Sequence, residues 1–213
     1  MSQFECTVCG AAFSLPKGTL ERYPNWTPKH CRKCSPKNKG RQQSAKASRK
    51  APREENVSVA EVLARHTSGP QSGVFSDGSC WPNPGPGGWG VVWVDGGEIV
   101  KQAYGHEADT TNNRMELRGL IEGLQMLPTD TTETLFTDSK LCVNILETWA
   151  AGWEKKGWKR KTGPIKNLDL VQQAWSLRRE RPQARIEWIA AHSGHRWNEY
   201  ADALASASTR ETL

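Results

Sequence analysis

Two Cys-x2-Cys pairs, Cys6 with Cys9 and Cys31 with Cys34, stand 21 residues apart near the N-terminus. Each pair can turn two thiolates toward one tetrahedral ion, the spacing of a structural zinc site. Phe4, Phe13, Tyr23 and Trp26 offer only a minimal core for residues 1–34, a size at which a metal ordinarily does the stabilising. Two disulfides are the competing account and suit a secreted chain. A redox-active pair would need a thioredoxin-like strand and helix around it, which the neighbouring residues do not supply. Four carboxylates form a second set. Asp77 and Asp138 each end an apolar run, Glu116 shares a helical face with Leu120 and Gly123, and Asp202 lies in a run of small residues after Ala201 and before Leu204. Taken singly, each is equally a cap or a solvent-facing acid. Held together against a core they are costly unless something positive neutralises them. No Lys or Arg keeps step with all four, so a divalent cation is the natural partner, and hard oxygen ligands specify magnesium or manganese.

These groups need a scaffold, and nine of the ten Trp fall between Trp81 and Trp197, which marks the core-bearing domain. Strand-like runs cover 74–77, 89–94, 98–104, 134–138 and 185–190, and Asp95-Gly96-Gly97 is a hairpin signal between the second and third. Residues 113–127 carry Leu117, Leu120, Ile121, Leu124 and Leu127 on one stripe before Pro128. Residues 139–149, 167–179 and 198–206 also read as helices. An initial meander followed by alternating elements implies an α/β fold, a mixed sheet with helices on its faces. Ser58 and Glu61 have capping-box spacing for a short helix over 58–66. Cys80 and Cys142 read as small buried thiols.

The successive segments SDGSCWPNPGPGGWG at 76–90, TTNNRMEL at 110–117, FTDS at 136–139, GWEKKGWKRK at 152–161 and HSGHRWNEYADALA at 192–205 resemble the signatures of type 1 ribonuclease H, in order across 73–208. The resemblance implies the ribonuclease H-like fold, a five-stranded mixed sheet flanked by helices. It also implies hydrolysis of the RNA strand of an RNA/DNA hybrid to 5′-phosphate and 3′-hydroxyl ends. Asp77, Glu116, Asp138 and Asp202 match the family's four catalytic acids, which hold two Mg²⁺ (or Mn²⁺) ions. A strand-end Asp77 at the sheet centre can face both ions, Glu116 and Asp138 hold one, and Asp202 holds the other. His192 matches the residue that assists proton transfer or product departure.

Substrate contacts follow in part from the same resemblance. Asn83, Thr111, Asn112 and Asn113 match contact positions, as does Cys80, and neutral hydrogen-bonding groups suit phosphates and 2′-hydroxyls. Gly85, Gly87 and Gly88 let backbone approach a strand. Lys140 departs from the neutral Gln often found there and exchanges a minor-groove contact for a phosphate one. Trp149, Trp153 and Trp158 interleave with Lys155, Lys156, Lys159, Arg160, Lys161 and Lys166, a density of aromatics and cations that suits a duplex backbone. This patch resembles the family's basic protrusion, with Trp153, Lys155, Lys156, Trp158 and Lys159 in the contact set.

Charge is unevenly spread: residues 1–72 carry +8 and 73–213 carry −2. A basic arm on an acidic body points to a polyanion partner, with a solvating tail as the bland alternative. The expected organisation is a zinc-ribbon-like module over 1–34, a basic flexible linker over 35–72, the catalytic domain over 73–208 and a tail over 209–213. The module aids nucleic-acid binding or docks a protein partner. No apolar stretch reaches the ~18 residues of a membrane span, and MSQFECTVCG lacks the order of a secretory leader. The expectation is a monomeric chain, without membrane contact, in the cytoplasm and on the nucleoid if prokaryotic.

Overall fold

The computed structural model describes residues 3–15, 19–22, 27–35 and 57–207, and the chain divides into two compact units, Met1–Glu55 and Asn56–Leu213. The linker stretch 36–56, the 209–213 tail, Tyr23 and Trp26 lie outside the described residues. In the first unit, β1 (Gln3–Glu5) and β2 (Ala12–Ser14) pair antiparallel, with Phe4 opposite Phe13 and their ring centroids 6.0 Å apart. One helical turn, α1, covers Thr19–Arg22. The two cysteine knuckles are tied by the Thr7 N–H and hydroxyl, both donating to Lys29 O at 2.9 Å.

The second unit begins with α2 (Val59–Arg65), closed by the expected capping box between Ser58 and Glu61. Within the 35–72 stretch, read as a basic linker with a short helix over 58–66, the helix is present and packed. Val62 is 2% exposed in a core shared with Trp197, Tyr200 and Leu204, so this segment packs instead of floating. The apolar pair Val62 and Leu63 supplies the driving force, which the surrounding basic composition hides.

Five strands form one mixed sheet: β3 (Gly73–Cys80), β4 (Gly85–Asp95), β5 (Glu98–Thr110), β6 (Thr134–Thr137) and β7 (Arg185–Trp188), in the order β5-β4-β3-β6-β7. The meander β3-β4-β5 is antiparallel, whereas β6 joins β3, and β7 joins β6, in parallel. Gly96 (φ 57°) and Gly97 (φ 86°) make the two-residue turn after Asp95, both positive as the right-handed strand twist demands. The meander strands run further than their apolar runs suggest, because Gly and Pro at 85–88 conceal a strand start.

Helices cover both faces. They are α3 (Asn112–Met126), α4 (Lys140–Asn144), a π-helical turn (Ile145–Trp149) leading into α5 (Ala150–Lys155), α6 (Leu168–Glu180) and α7 (Arg196–Ala205). Adjacent strand residues face opposite ways. Val74 and Val91 therefore join Leu117, Leu120, Ile121 and Leu124 in one core, and Phe75 and Val92 join Trp197 and Leu204 in the other. Two glycines on the central pair let helices touch the sheet. A Cβ on Gly78 would collide with the backbone of Met115 and Glu116 in α3, and one on Gly90 with Ala201 O in α7. Gly90 is the ladder partner of Asp77.

Gly78→Ala is expected to cost about 3 kcal/mol, the upper end of overpacking penalties. Gly96→Ala, at an open turn with nothing within 4 Å, is expected to cost about 1 kcal/mol for its left-handed backbone alone. Urea unfolding of the two variants checks the order. An equal cost would mean that the contact between α3 and β3 yields.

Candidate active site

Asp77 sits on the central strand and is 7% exposed, Glu116 in the first turns of α3 is 9% exposed, and Asp138 directly follows β6. One carboxylate oxygen from each lies within 4.8 Å of the others. Asp77 Oδ1 accepts the Gly78 N–H at 2.7 Å, Glu116 Oε1 accepts from Asn112 Nδ2 at 3.3 Å, and Asp138 Oδ2 accepts from Asn198 Nδ2 at 3.5 Å. Glu116 Oε2 is buried with no hydrogen-bond partner. Burial, then the charges of Asp138, Glu116 and Asp202, hold the Asp77 carboxyl well above its ordinary range. Burial and the Asp138 charge push Glu116 up to about 8. Asp138 is raised by burial as well, with the Asn198 amide and His192 pulling the other way. A carboxylate cluster with an unsatisfied buried oxygen offers the donor set a divalent cation would take.

The fourth acid stands beside this trio. Asp202 groups with His192 and Glu199, whose ligand atoms also lie within 4.8 Å of one another, and it reaches the first cluster through its charge on Asp77 and Glu116. His192 is exposed, with Nδ1 4.0 Å from Glu199 Oε2. Three residues that sequence reasoning passed over matter here. Asn198, 1% exposed, binds Asp138 from one turn before Asp202, and this i, i+4 spacing was legible. Trp188 donates its indole N–H to Asp138 O at 2.9 Å, although it is 45% exposed. Glu199 accepts the Gly194 N–H at 3.0 Å and so ties the His192 loop to α7.

Around the mouth, the Asn112 N–H donates to Asn83 Oδ1 at 3.3 Å, which joins the 81–84 loop to the start of α3. Thr111 is the N-cap of α3 without a side-chain cap bond, and Asn83 and Asn113 are exposed. Lys140 Nζ stands 4.3 Å above the Trp188 ring. Cys80 is the small buried thiol that the sequence reading expects. Its thiol is buried and faces the carbonyl oxygens of Pro82, Gly85 and Thr110 at 3.3–3.5 Å, where burial raises its pKa. Gly87 and Gly88 are buried too, backed by Thr110 and Ala205, so their small size serves internal packing.

The basic protrusion follows the π-helical turn. Trp153, Lys156, Lys159, Arg160 and Lys161 line one open cleft, and Lys155 is exposed beside them. Trp158 is half-buried against the core and takes a left-handed backbone (φ 60°), so it anchors the loop more than it presents a face. Glu154 accepts from Trp175 Nε1 at 3.1 Å and pairs with Arg179 at 2.6 Å, bracing the protrusion on α6. The four N-terminal thiols lie within 4.8 Å of one another, with Cys9 Sγ 3.8 Å from Cys31 Sγ. Ligands about 2.3 Å from a tetrahedral zinc are about 3.8 Å apart, so the Cys9–Cys31 spacing is compatible with a shared ion. Hydrogen bonding from the Cys31 backbone lowers Cys6 to about 6, while Cys9 and Cys31 push Cys34 up to about 12.

Raised carboxyl pKa values make a stability prediction. Glu116 in the fold holds its proton to about pH 8 against an ordinary 4.5. The metal-free folded state therefore binds more protons than the unfolded chain in that window, and stability falls as pH rises through it. In chelator, the melting temperature is expected to fall between about pH 5 and about pH 8. Added Mg²⁺ should restore it, most at the higher pH. Asp77→Asn should raise the chelated midpoint by roughly 2–4 °C per kcal/mol of repulsion relieved and blunt the response to Mg²⁺. Identical pH profiles for the two proteins would overturn the assignment.

A family model described as RNase H matches residues 69–210. Ribonuclease H of Hahella chejuensis is 43% identical over 141 residues, 66% of this chain and 94% of that protein. Ribonuclease HI of Pseudomonas syringae pv. tomato is 44% identical over 142 residues, 65% of this chain and 91% of that protein. Among solved structures, LC9-RNase H1, a type 1 RNase H with the type 2 active-site motif, has a TM-score of 0.56 at 34% identity, covering 66% of this chain and 74% of its own. The five-stranded sheet and the acids at its centre fall inside the matched residues, and the chain belongs to the ribonuclease H family.

Proposed function

We propose that the chain cleaves the RNA strand of RNA/DNA hybrids endonucleolytically, leaving 5′-phosphate and 3′-hydroxyl ends. The observation that carries the mechanism is the trio Asp77, Glu116 and Asp138 gathered within 4.8 Å, with Glu116 Oε2 unsatisfied. The donor set is oxygen only and fits hard divalent cations, Mg²⁺ or Mn²⁺, which Asp77 would share, with Glu116 and Asp138 holding one and Asp202 the other. Bound there, such ions supply an activated water and a neutralised leaving oxygen for in-line displacement at phosphorus.

The chain's own residues do the rest. Asn112 and Asn198 fix the rotamers of Glu116 and Asp138, so the carboxylates are oriented before substrate arrives. Asn83, Thr111 and Asn113 are neutral hydrogen-bonding groups at the mouth of the site that would meet the 2′-hydroxyls of a hybrid's minor groove, which gives a reason for RNA-strand selectivity. Lys140, steadied over Trp188, offers a phosphate contact next to Asp138. Lys155, Lys156 and Lys159 bind the backbone of the other strand. His192, exposed on its loop near Asp202, moves a proton at the departing 3′-oxygen and helps product leave.

The N-terminal module is assigned one structural zinc on Cys6, Cys9, Cys31 and Cys34. Its basic arm tethers the enzyme to nucleic acid, and protein docking is the alternative if affinity proves independent of salt.

A strand-labelled hybrid with Mg²⁺, beside single-stranded RNA, duplex RNA and duplex DNA, tests the reaction. RNA cleavage should be confined to the hybrid, and Asp77→Asn should lower it by about a thousandfold or more while hybrid binding survives. Near-normal turnover of that variant would sink the acid assignment. Elemental analysis should find one zinc per chain, lost in Cys6→Ser with Cys9→Ser while cleavage persists. Native labelling of all six thiols in zinc-free wild type would establish an open thiol module instead.

A further inference from the structure

The loop that carries His192 is held from outside the family's boundaries. It has two left-handed residues, His192 (φ 47°) and Gly194 (φ 77°). A histidine in that region persists when its surroundings over-determine it. One restraint is internal: Glu199 of α7 accepts the Gly194 N–H and stands near the imidazole. The other comes from the segment ahead of the matched residues 69–210. Ser68 Oγ donates to Gly194 O at 2.7 Å, Ser68 O accepts the Arg196 N–H at 2.9 Å, and Ser68 forms a parallel bridge with His195. Gly69 (φ 96°) backs directly onto His195, where an added Cβ would lie 3.0 Å from the His195 Cβ. Upstream, α2 is pinned to α7 by buried Val62 and by Arg196 Nη2 donating to Leu63 O at 3.2 Å.

Both backbone polar groups of Gly194 on this loop are thus engaged, the N–H by the catalytic domain's own helix and the carbonyl by the strap. We propose that residues 57–69 are a built-in brace for the catalytic loop and that Ser68 is a positioning residue for His192. This rests on the role given to His192 above. Ser68 is exposed, so its hydroxyl contributes little to the core, and the bond to Gly194 O acts on loop geometry. The brace places the last part of the N-terminal extension inside the catalytic unit. The arm therefore enters the reaction through His192 as well as through charge.

The test uses the full-length protein, Mg²⁺ and a strand-labelled RNA/DNA hybrid, with steady-state kcat and KM measured for Ser68→Ala and Ser68→Thr in two backgrounds, wild type and His192→Ala. In the wild type, Ser68→Ala should lower kcat roughly three- to tenfold with KM within about twofold, as expected for one positioning hydrogen bond. Ser68→Thr should restore most of it, and Gly69→Ala should repeat the loss by pushing the strap off His195. In the His192→Ala background Ser68→Ala should be silent. Equal losses in both backgrounds would make Ser68 generally structural and overturn the proposal. An unchanged or KM-only effect in the wild type, with His192→Ala impaired, overturns the brace alone. Full activity of His192→Ala overturns the reading of His192 on which the brace depends.

Discussion

The structure turns on a repulsion. Asp77, Glu116 and Asp138 crowd their carboxylates within 4.8 Å in a largely buried site, where each negative charge raises the cost of the others. Their surroundings offset this only in part: the Gly78 N–H, the Asn198 amide, the Ser139 side chain and His192 pull against a repulsion that burial sharpens. The arrangement holds in the protein because three different elements, each fixed by its own core packing, deliver the acids. The stability of the two cores tolerates a site that becomes favourable when cations arrive.

Delivery depends on close approach. Gly78 lets α3 lie against β3, which sets Glu116 beside Asp77 from one face. Gly90, across the ladder from Asp77, lets α7 lie against β4 from the other face, which sets Asp202 near the same point. A sheet with helices on both sides thereby brings together acids from the interior of β3, from α3, from the end of β6 and from α7. Asn112 and Asn198, placed on the same two helices, orient the carboxylates that the packing brings in.

The surroundings follow the same logic of anchoring and projection. The π-helical turn and the Trp158 anchor lead the chain out into the basic protrusion, and Glu154 ties its base to α6 through Trp175 and Arg179. Lys155, Lys156 and Lys159 are left exposed on the protrusion. At the opposite end of the matched region, α2 and Ser68 secure the His192 loop. A segment that by composition belongs to a polyelectrolyte arm thus contributes to the geometry of the catalytic domain.

The sequence by itself determined the chemistry and most of the scaffold. The order of strands and helices, the hairpin at Gly96-Gly97, the capping box at Ser58 and the four N-terminal cysteines were legible from local periodicity, turn stereochemistry or fixed spacing, and the resemblance to type 1 ribonuclease H singled out the four acids as a set. Only the tertiary structure decided which groups meet. Asp202 joins His192 and Glu199 beside the acid trio, Trp188 and Asn198 take hold of Asp138, and the strap at 57–69 braces a loop more than 120 residues away, since Ser68 and Gly194 are 126 apart. Contacts of that separation follow from how helices seat on the two faces of a sheet. That seating depends on glycines and small residues whose meaning appears only when the opposing backbone is in place.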